Sequence, residues 1–422
     1  MNIYKTLQWI REGKFKELPY NVQGALVGPK ITNGQSTEQM CLILLVKEKL
    51  PLSQLPSNMI IPQNLEIETE IVLTDVQETI LHQTIATTAC HNNSENVEPV
   101  KSNRIRYRPL VGGISSININ SSDATLGLIV RDKSDGQVVA LSNNHVYAAS
   151  QVSTAVSSTT ANNLGKINTL ELSGRQPGSP SSNSYGNTDS SIDYIGKCKR
   201  PVLIGNISPS LDPYGYIQDT SVDAAILQLS SYNLIDPLSS GRVVNFSEMP
   251  PYKFASDHEI DSLIDPTSLN YRSPIFRSGR TKGPIGFPGF SNFCKLSVYQ
   301  LGYVNVGLYS GYRSWFSDSF YVQGNVSPGG GGDSGSAMFA LLSSNVPSAS
   351  AWKTIGLLFA GPPDDSYTIG CRITNIVRDL DIVPWDLKMP TVSSENNILV
   401  YTSKAPVLTL SGRKYFQVGR SV

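Results

Sequence analysis

From about Leu110 the sequence alternates between short β-type runs and clusters of turn-forming residues, and this rhythm narrows the fold more than any other feature. The runs are Leu126–Arg131, Val138–Ser142, Leu164–Ile167, Ala224–Leu229, Phe276–Ser278, Ser297–Val306, Ser319–Val322, Ser336–Leu341 and Thr354–Phe359. Gly, Ser, Asn and Pro separate them. Short runs of this kind predict strands, and many of them in succession, with turn formers between, predict a mainly β barrel or sandwich. One segment departs from the pattern: Ile373, Ile376, Val377 and Leu380 share a helical face that stops near Pro384. The Ser-, Asn- and Gly-rich stretch Ser150–Tyr194 predicts long surface loops.

The first hundred residues have a different texture. Ile3, Leu7 and Ile10 form one stripe of a short amphipathic helix over 3–16. Gly24–Lys30 and Met40–Glu48 read as strands around the turn signal Asn33-Gly34. A proline-punctuated stretch, Pro51–Pro62, leads to a further strand, Glu66–Val76. The polar segment His91–Asn103 reads as a linker. The chain therefore divides into an α+β accessory domain with its linker (1–103), a large β domain (104–388) and a C-terminal extension (389–422). The extension holds two strand candidates, Asn397–Thr402 and Val407–Leu410, and no assignable role.

Composition excludes several function classes. Lys+Arg and Asp+Glu stand at 34 each, so no strong field favours nucleic acid or an anionic membrane. No apolar run approaches the ~18 residues of a membrane span, and the N-terminus lacks a signal-peptide pattern. The five cysteines are scattered and never form C-x-x-C, which suits buried thiols in a reducing compartment rather than disulfides or zinc. These features lead to the expectation of a cytoplasmic protein without a metal or other cofactor.

The densest chemical signal is Gly329-Gly330-Gly331-Gly332-Asp333-Ser334-Gly335-Ser336. Acyl transfer needs a nucleophile flanked by backbone N–H groups that close around a developing oxyanion, and glycines permit that backbone path. Ser334 is the candidate nucleophile, with the N–H groups of Gly332 and Ser334 as oxyanion donors. The bland reading is a flexible Gly/Ser loop. A serine hydroxyl also needs a base, and imidazole suits that role near neutral pH. Of the four histidines, His82 and His91 sit in or near the linker and His258 lies in a polar loop. His145 ends a strand candidate within Leu141-Ser142-Asn143-Asn144-His145-Val146. The orienting carboxylate must be partly buried, and Asp223 heads the apolar run Val222-Asp223-Ala224-Ala225-Ile226-Leu227. Asp193 and Asp219 remain competing candidates, because the choice is made in space.

Chain order selects among serine hydrolases. All four histidines precede Ser334, which excludes an α/β-hydrolase arrangement for this nucleophile, and Ser336 breaks the G-x-S-x-G elbow. The order His145, Asp223, Ser334 is that of chymotrypsin-type enzymes. The segments GDSGS (332–336), LSNNHV (141–146) and VDAAIL (222–227) resemble the signatures of trypsin-like serine peptidases. The stretches ATLGLIVRDKSDGQVVALSNNHVYA (124–148), SGRTKGPIG (278–286) and IGLLFAGPP (355–363) are similar to an intracellular group of these enzymes from bacteria and plants that often carries a small N-terminal domain.

The resemblance implies a chymotrypsin-like pair of six-stranded antiparallel β-barrels and a C-terminal helix near 372–382. It implies that Ile355–Gly361 pairs backbone-to-backbone with an extended substrate, with Phe359 and Ala360 in the pocket wall and Gly361 and Gly370 lining an open pocket. The pocket base falls at Ser327 or Pro328, and neither supports a preference for Arg or Lys. Secreted animal members pair a freshly cut N-terminus with the aspartate before the nucleophile, here Asp333. The implied partner is a protein or peptide substrate; the separate composition of the accessory domain and the linker at 91–103 add the expectation that this domain restrains or docks the protease and that an activating partner takes part. The alternative is a non-catalytic binding or regulatory module on a protease fold.

Overall fold

In the computed structural model, the residues described are 1–18, 22–32, 35–46, 48–78, 82–84, 101–118, 124–148, 152–154, 173–177, 193–202, 204–206, 219–220, 222–236, 240–244, 253–286, 296–307, 313–324, 329–342, 352–362, 364–385, 391–392 and 398–399. The chain is mainly β and carries two curled sheets. The expected run Leu164–Ile167, His91, Ser327, Pro328 and the strand candidate Val407–Leu410 lie outside the described residues.

The N-terminal part opens with α1 (Ile3–Arg11), whose Asn2 side chain caps the Lys5 N–H. Its apolar stripe Ile3, Leu7 and Ile10 is buried. The expected helix over 3–16 stops early: the helix ends at Arg11, Gly13 turns left-handed, and a separate 3₁₀ turn follows over Lys14–Glu17. Strands β1 (Val22–Thr32) and β2 (Gln35–Val46) pair antiparallel. The expected strand Glu66–Val76 is instead a hairpin, β3 (Asn64–Ile67) and β4 (Glu70–Glu78). Glu68 and Thr69 adopt positive φ at its turn, which breaks the run. A three-residue strand, β5 (His82–Thr84), follows.

The first curled sheet is built from β6 (Ile114–Asn118), β7 (Ala124–Leu126), β8 (Leu128–Asp132), β9 (Val138–Ser142), β10 (Ser173–Arg175), β11 (Tyr194–Pro201) and β12 (Ala225–Leu229), with the single-turn helix α2 (Asn144–Tyr147) directly after β9. Hydrogen-bonded neighbours run β8, β9, β12, β11, β10, β6, β7. The path ends at β7, which only Gly127 separates from β8, where it began. The apolar runs are continuous because both faces are covered. Along β9, Val139 and Leu141 enter one core, while Val138 and Ala140 enter the sheet's own interior. Ile226 and Leu227 of β12 divide in the same way.

The second curled sheet follows the short helix α3 (Asp257–Asp261). It comprises β13 (Ile275–Gly279), β14 (Leu296–Gly307), β15 (Arg313–Gly324), β16 (Ala337–Leu341), β17 (Trp352–Gly361) and β18 (Tyr367–Arg372), and helix α4 (Ile373–Leu380) succeeds it. Its pairings, β13–β14–β15–β18–β17–β16–β13, return to their start. The N-terminal unit joins this sheet by strand pairing: Ala25, Leu26 and Val27 of β1 lie opposite Tyr303, Gly302 and Leu301 of β14. Gly302, with φ +150°, is required there, because a Cβ would meet the Ala25 carbonyl oxygen at 2.2 Å. Arg11 strengthens the junction by bonding Asp261 and Asp318, both of which also pair with the buried Arg372. Among the described residues, no helix is long and apolar enough to cross a membrane.

Candidate active site

The turn of α2 begins where β9 ends, and it brings His145 onto the segment leading into β12. The His145 Nδ1 lies 2.5 Å from Asp223 Oδ2, and the His145 backbone N–H donates to Asp223 Oδ1 at 3.1 Å. Both carboxylate oxygens are thus committed to one residue. An acceptor at Nδ1 places the ring proton there and leaves Nε2 as the basic nitrogen. Both side chains are fully buried. The neighbouring amides fix the pair from behind. Asn143 Nδ2 donates to the Asp223 carbonyl at 2.6 Å, and Asn144 Nδ2 donates to the Val202 carbonyl at 2.5 Å.

Behind Asp223 lies Cys371, whose Sγ accepts the Asp223 N–H at 3.2 Å. Burial pushes this thiol well above its ordinary range, and the charge on Asp223 adds to the effect. It therefore sits as a neutral thiol against the Asp223 backbone. The competing carboxylates are placed elsewhere. Asp193 accepts from Arg106 Nε at 2.9 Å, and Asp219 lies in a two-residue strand beside Trp315 and Phe316.

Ser334 belongs to a loop between the two sheets, just before β16. Gly332 (φ +89°) and Gly335 (φ +87°) flank it in left-handed backbone. A Cβ on Gly335 would meet Ser142 Oγ at 2.1 Å and the Thr125 carbonyl oxygen at 2.3 Å, so glycine alone lets the loop approach β7 and β9 this closely. Backbone bonds then lock the approach: Thr125 N–H to the Ser334 carbonyl at 2.9 Å, Gly335 N–H to the Leu358 carbonyl at 2.9 Å, and Leu358 N–H to the Ser336 carbonyl at 3.0 Å. The Thr125 hydroxyl accepts from the Arg280 N–H and donates to the Gly332 carbonyl at 2.9 Å. Only Asn143 and Asn144 separate Ser142 from His145, so the serine loop rests on the strand that delivers the imidazole.

Two details bear on chemistry. Among the described residues, neither the Gly332 N–H nor the Ser334 N–H donates a hydrogen bond, and the Ser334 hydroxyl has no partner. Ser334 itself is 0% exposed. Acyl transfer calls for a reachable hydroxyl, and in this arrangement the Ser334 hydroxyl is covered and makes no bond to His145.

Sequence reasoning missed the support of Asp333. Its carboxylate is fully buried, pairs with Arg277 Nη2 at 3.1 Å, and accepts the N–H groups of Thr281 and Lys282 at 2.8 and 3.2 Å. Thr281 Oγ1 donates to the Gly331 carbonyl at 2.6 Å. The signal in the sequence is Arg277 itself, a charge in the middle of a strand candidate, and every residue of that strand proves buried, which requires a buried counter-charge. Phe359 and Ala360 are buried in β17 and Gly361 closes the strand. Gly370 lies opposite Leu358, and Phe320 carbons stand 2.2 Å from where its Cβ would be.

Neither protein-family models nor curated proteins contain a match to this chain.

Proposed function

We propose that this protein is a serine endopeptidase built on a chymotrypsin-like pair of β-barrels, with Ser334, His145 and Asp223 as its catalytic triad. The observation that carries the reading is the buried His145–Asp223 pair, held by two hydrogen bonds at the end of the strand against which Gly335 packs. In the reaction, Ser334 Oγ bonds to the peptide carbonyl carbon while His145 Nε2 takes its proton. The carbonyl oxygen becomes an oxyanion and accepts from the N–H groups of Gly332 and Ser334. Collapse breaks the C–N bond, and His145 returns the proton to the leaving amine. Water then hydrolyses the ester by the same path in reverse. Asp223 keeps the Nδ1 proton in place and stabilises the imidazolium.

The two strand circuits support the fold part of the reading, since His145 and Asp223 come from one and Ser334 from the entrance to the other. Hydrogen bonds between nucleophile and base are often unmade until substrate is bound, which accommodates the unpartnered Ser334 hydroxyl. The test is covalent labelling with a small fluorophosphonate, with the adduct mapped by mass spectrometry in wild type and His145→Ala. A His145-dependent adduct on Ser334 is expected. Folded wild-type protein that carries no adduct would instead favour a binding module on a protease scaffold.

A further inference from the structure

An extended peptide can reach a nucleophile in this fold only along a free strand edge. The edge of β17 beside Ser334 has three successive occupants. Up to Leu357 it pairs with β16. At Leu358 it bonds the serine loop, through Gly335 and Ser336. Beyond that point, at Ala360 and Gly361, it pairs with β5: Thr84 lies opposite Ala360 and Gln83 opposite Gly361, antiparallel. The other edge of β17 is taken by β18, which pairs with Leu358 and Ala360. No second edge exists at this point for a peptide to use.

The direction of β5 matters as much as its position. Running forward from Gln83 to Thr84, it moves from Gly361 towards Leu358 and the serine loop. A peptide whose carbonyl is attacked by Ser334 must run the same way, with the residues before the scissile bond on this edge. The parallel pairing of β5 with Val306 and Gly307 of β14 anchors the segment from its other side.

Resting on the peptidase reading above, we infer that residues His82–Thr84 fill the acyl-side substrate strand of the chain's own active site, so that the structure shows a self-occupied, latent protease. Backbone ladder bonds carry the contact, so an extended protein segment of almost any sequence competes for it. An intramolecular segment competes at a millimolar effective concentration, which is enough to suppress weakly binding peptides while yielding to a substrate or partner that draws the segment away.

Proline removes the N–H needed for pairing, and neighbouring residues of a strand point their N–H groups to opposite sides. The full chain carrying Gln83→Pro and Thr84→Pro therefore loses ladder bonds on this edge, whereas Gln83→Ala with Thr84→Ala keeps them. With small fluorophosphonate labelling of Ser334 equal in all three proteins, hydrolysis of an unfolded protein substrate is expected to rise about tenfold or more in the proline variant, through KM, and to stay unchanged in the alanine variant. Equal labelling with equal hydrolysis overturns the occupancy and leaves the triad standing. Labelling of none of the three overturns the triad and the occupancy with it. A second measurement needs no variant: in wild type, a tripeptidyl phosphonate should label Ser334 no faster than the bare phosphonate, and a tenfold faster reaction would show the edge to be open.

Discussion

The two halves of the candidate site are held in different ways. On the first sheet, His145 and Asp223 bind each other directly, and Asn143 pins Asp223 from behind. On the second, nothing among the described residues holds the Ser334 hydroxyl; its loop is fixed by backbone bonds and by the buried Asp333–Arg277 pair beneath it. The first half is closed through the His145 and Asp223 side chains themselves, whereas the second holds its loop firmly and leaves the Ser334 hydroxyl unbonded. This difference teaches where stability and activity part company. Side-chain changes in the first half should cost both, and changes at Ser334 should cost activity alone.

Ser334→Ala is the sharpest test and the largest expected effect. Peptide hydrolysis should fall by about 10⁴-fold or more. The melting temperature should hold or rise, because the change removes a buried hydroxyl that has no partner. Asp223→Ala should lose comparable activity and also lower the melting temperature, since it strands the Nδ1 and N–H donors of His145 in a dry site. Equal melting temperatures for the two variants, read by calorimetry, would erase the contrast.

Next in size is the support of the serine loop. Arg277→Met leaves Asp333 charged and buried, at a cost of about 3–5 kcal/mol in unfolding free energy. Adding Asp333→Asn removes that charge, and the amide oxygen can still accept from Thr281 and Lys282. The double variant should therefore recover part of the urea midpoint. No recovery would show that Arg277 acts through packing and not through Asp333.

These two predictions rest on parts of the site that the sequence revealed unequally. The serine loop, the histidine turn and the aspartate segment are local strings, so their residues and order could be read directly. The choice of Asp223 over Asp193 is made in space by the β9–β12 register, and no local pattern encodes it. Arg277 stood in the sequence as a charge within a strand candidate, with no sign of which carboxylate it meets. The division near residue 103 follows a change of texture, yet β1 is bonded into the second sheet, and a pairing between residues so far apart in sequence leaves no local trace. The Glu66–Val76 run concealed a hairpin because Glu68 and Thr69 are ordinary residues in an unusual backbone conformation.

A smaller and more local contrast comes from two glycines with similar backbone. Gly335 has φ +87° and no room for a Cβ; Gly136 has φ +72° and nothing within 4 Å of one. Alanine at either position carries a left-handed strain of about 1–3 kcal/mol. Only Gly335→Ala adds the collision with Ser142 and Thr125. It should therefore be the less stable variant and should also lose hydrolysis, because the loop must withdraw from the strand that carries His145. Gly136→Ala should keep full activity per folded molecule. Matching losses would mean that the close approach at Gly335 does not position the nucleophile.

The smallest effect concerns the thiol that supports the base half. Thiolate is the form that reacts with alkylating agents, so a pKa pushed upward leaves less of it at any given pH below that value. Burial raises Cys41 and Cys198 to about 12 and holds Cys371 well above its ordinary range. At pH 8 native protein should therefore take up iodoacetamide at none of these three positions, while unfolded protein should react at all of them. For Cys371 the charge of Asp223 adds to burial but comes second to it. Asp223→Asn should consequently leave Cys371 almost as protected as before. A large gain in its alkylation, with the melting temperature little changed, would make the carboxylate and not the dry packing the dominant influence on that thiol. The first half of the site would then be held chiefly by charge, and its contrast with the backbone-held serine loop would be one of electrostatics against geometry.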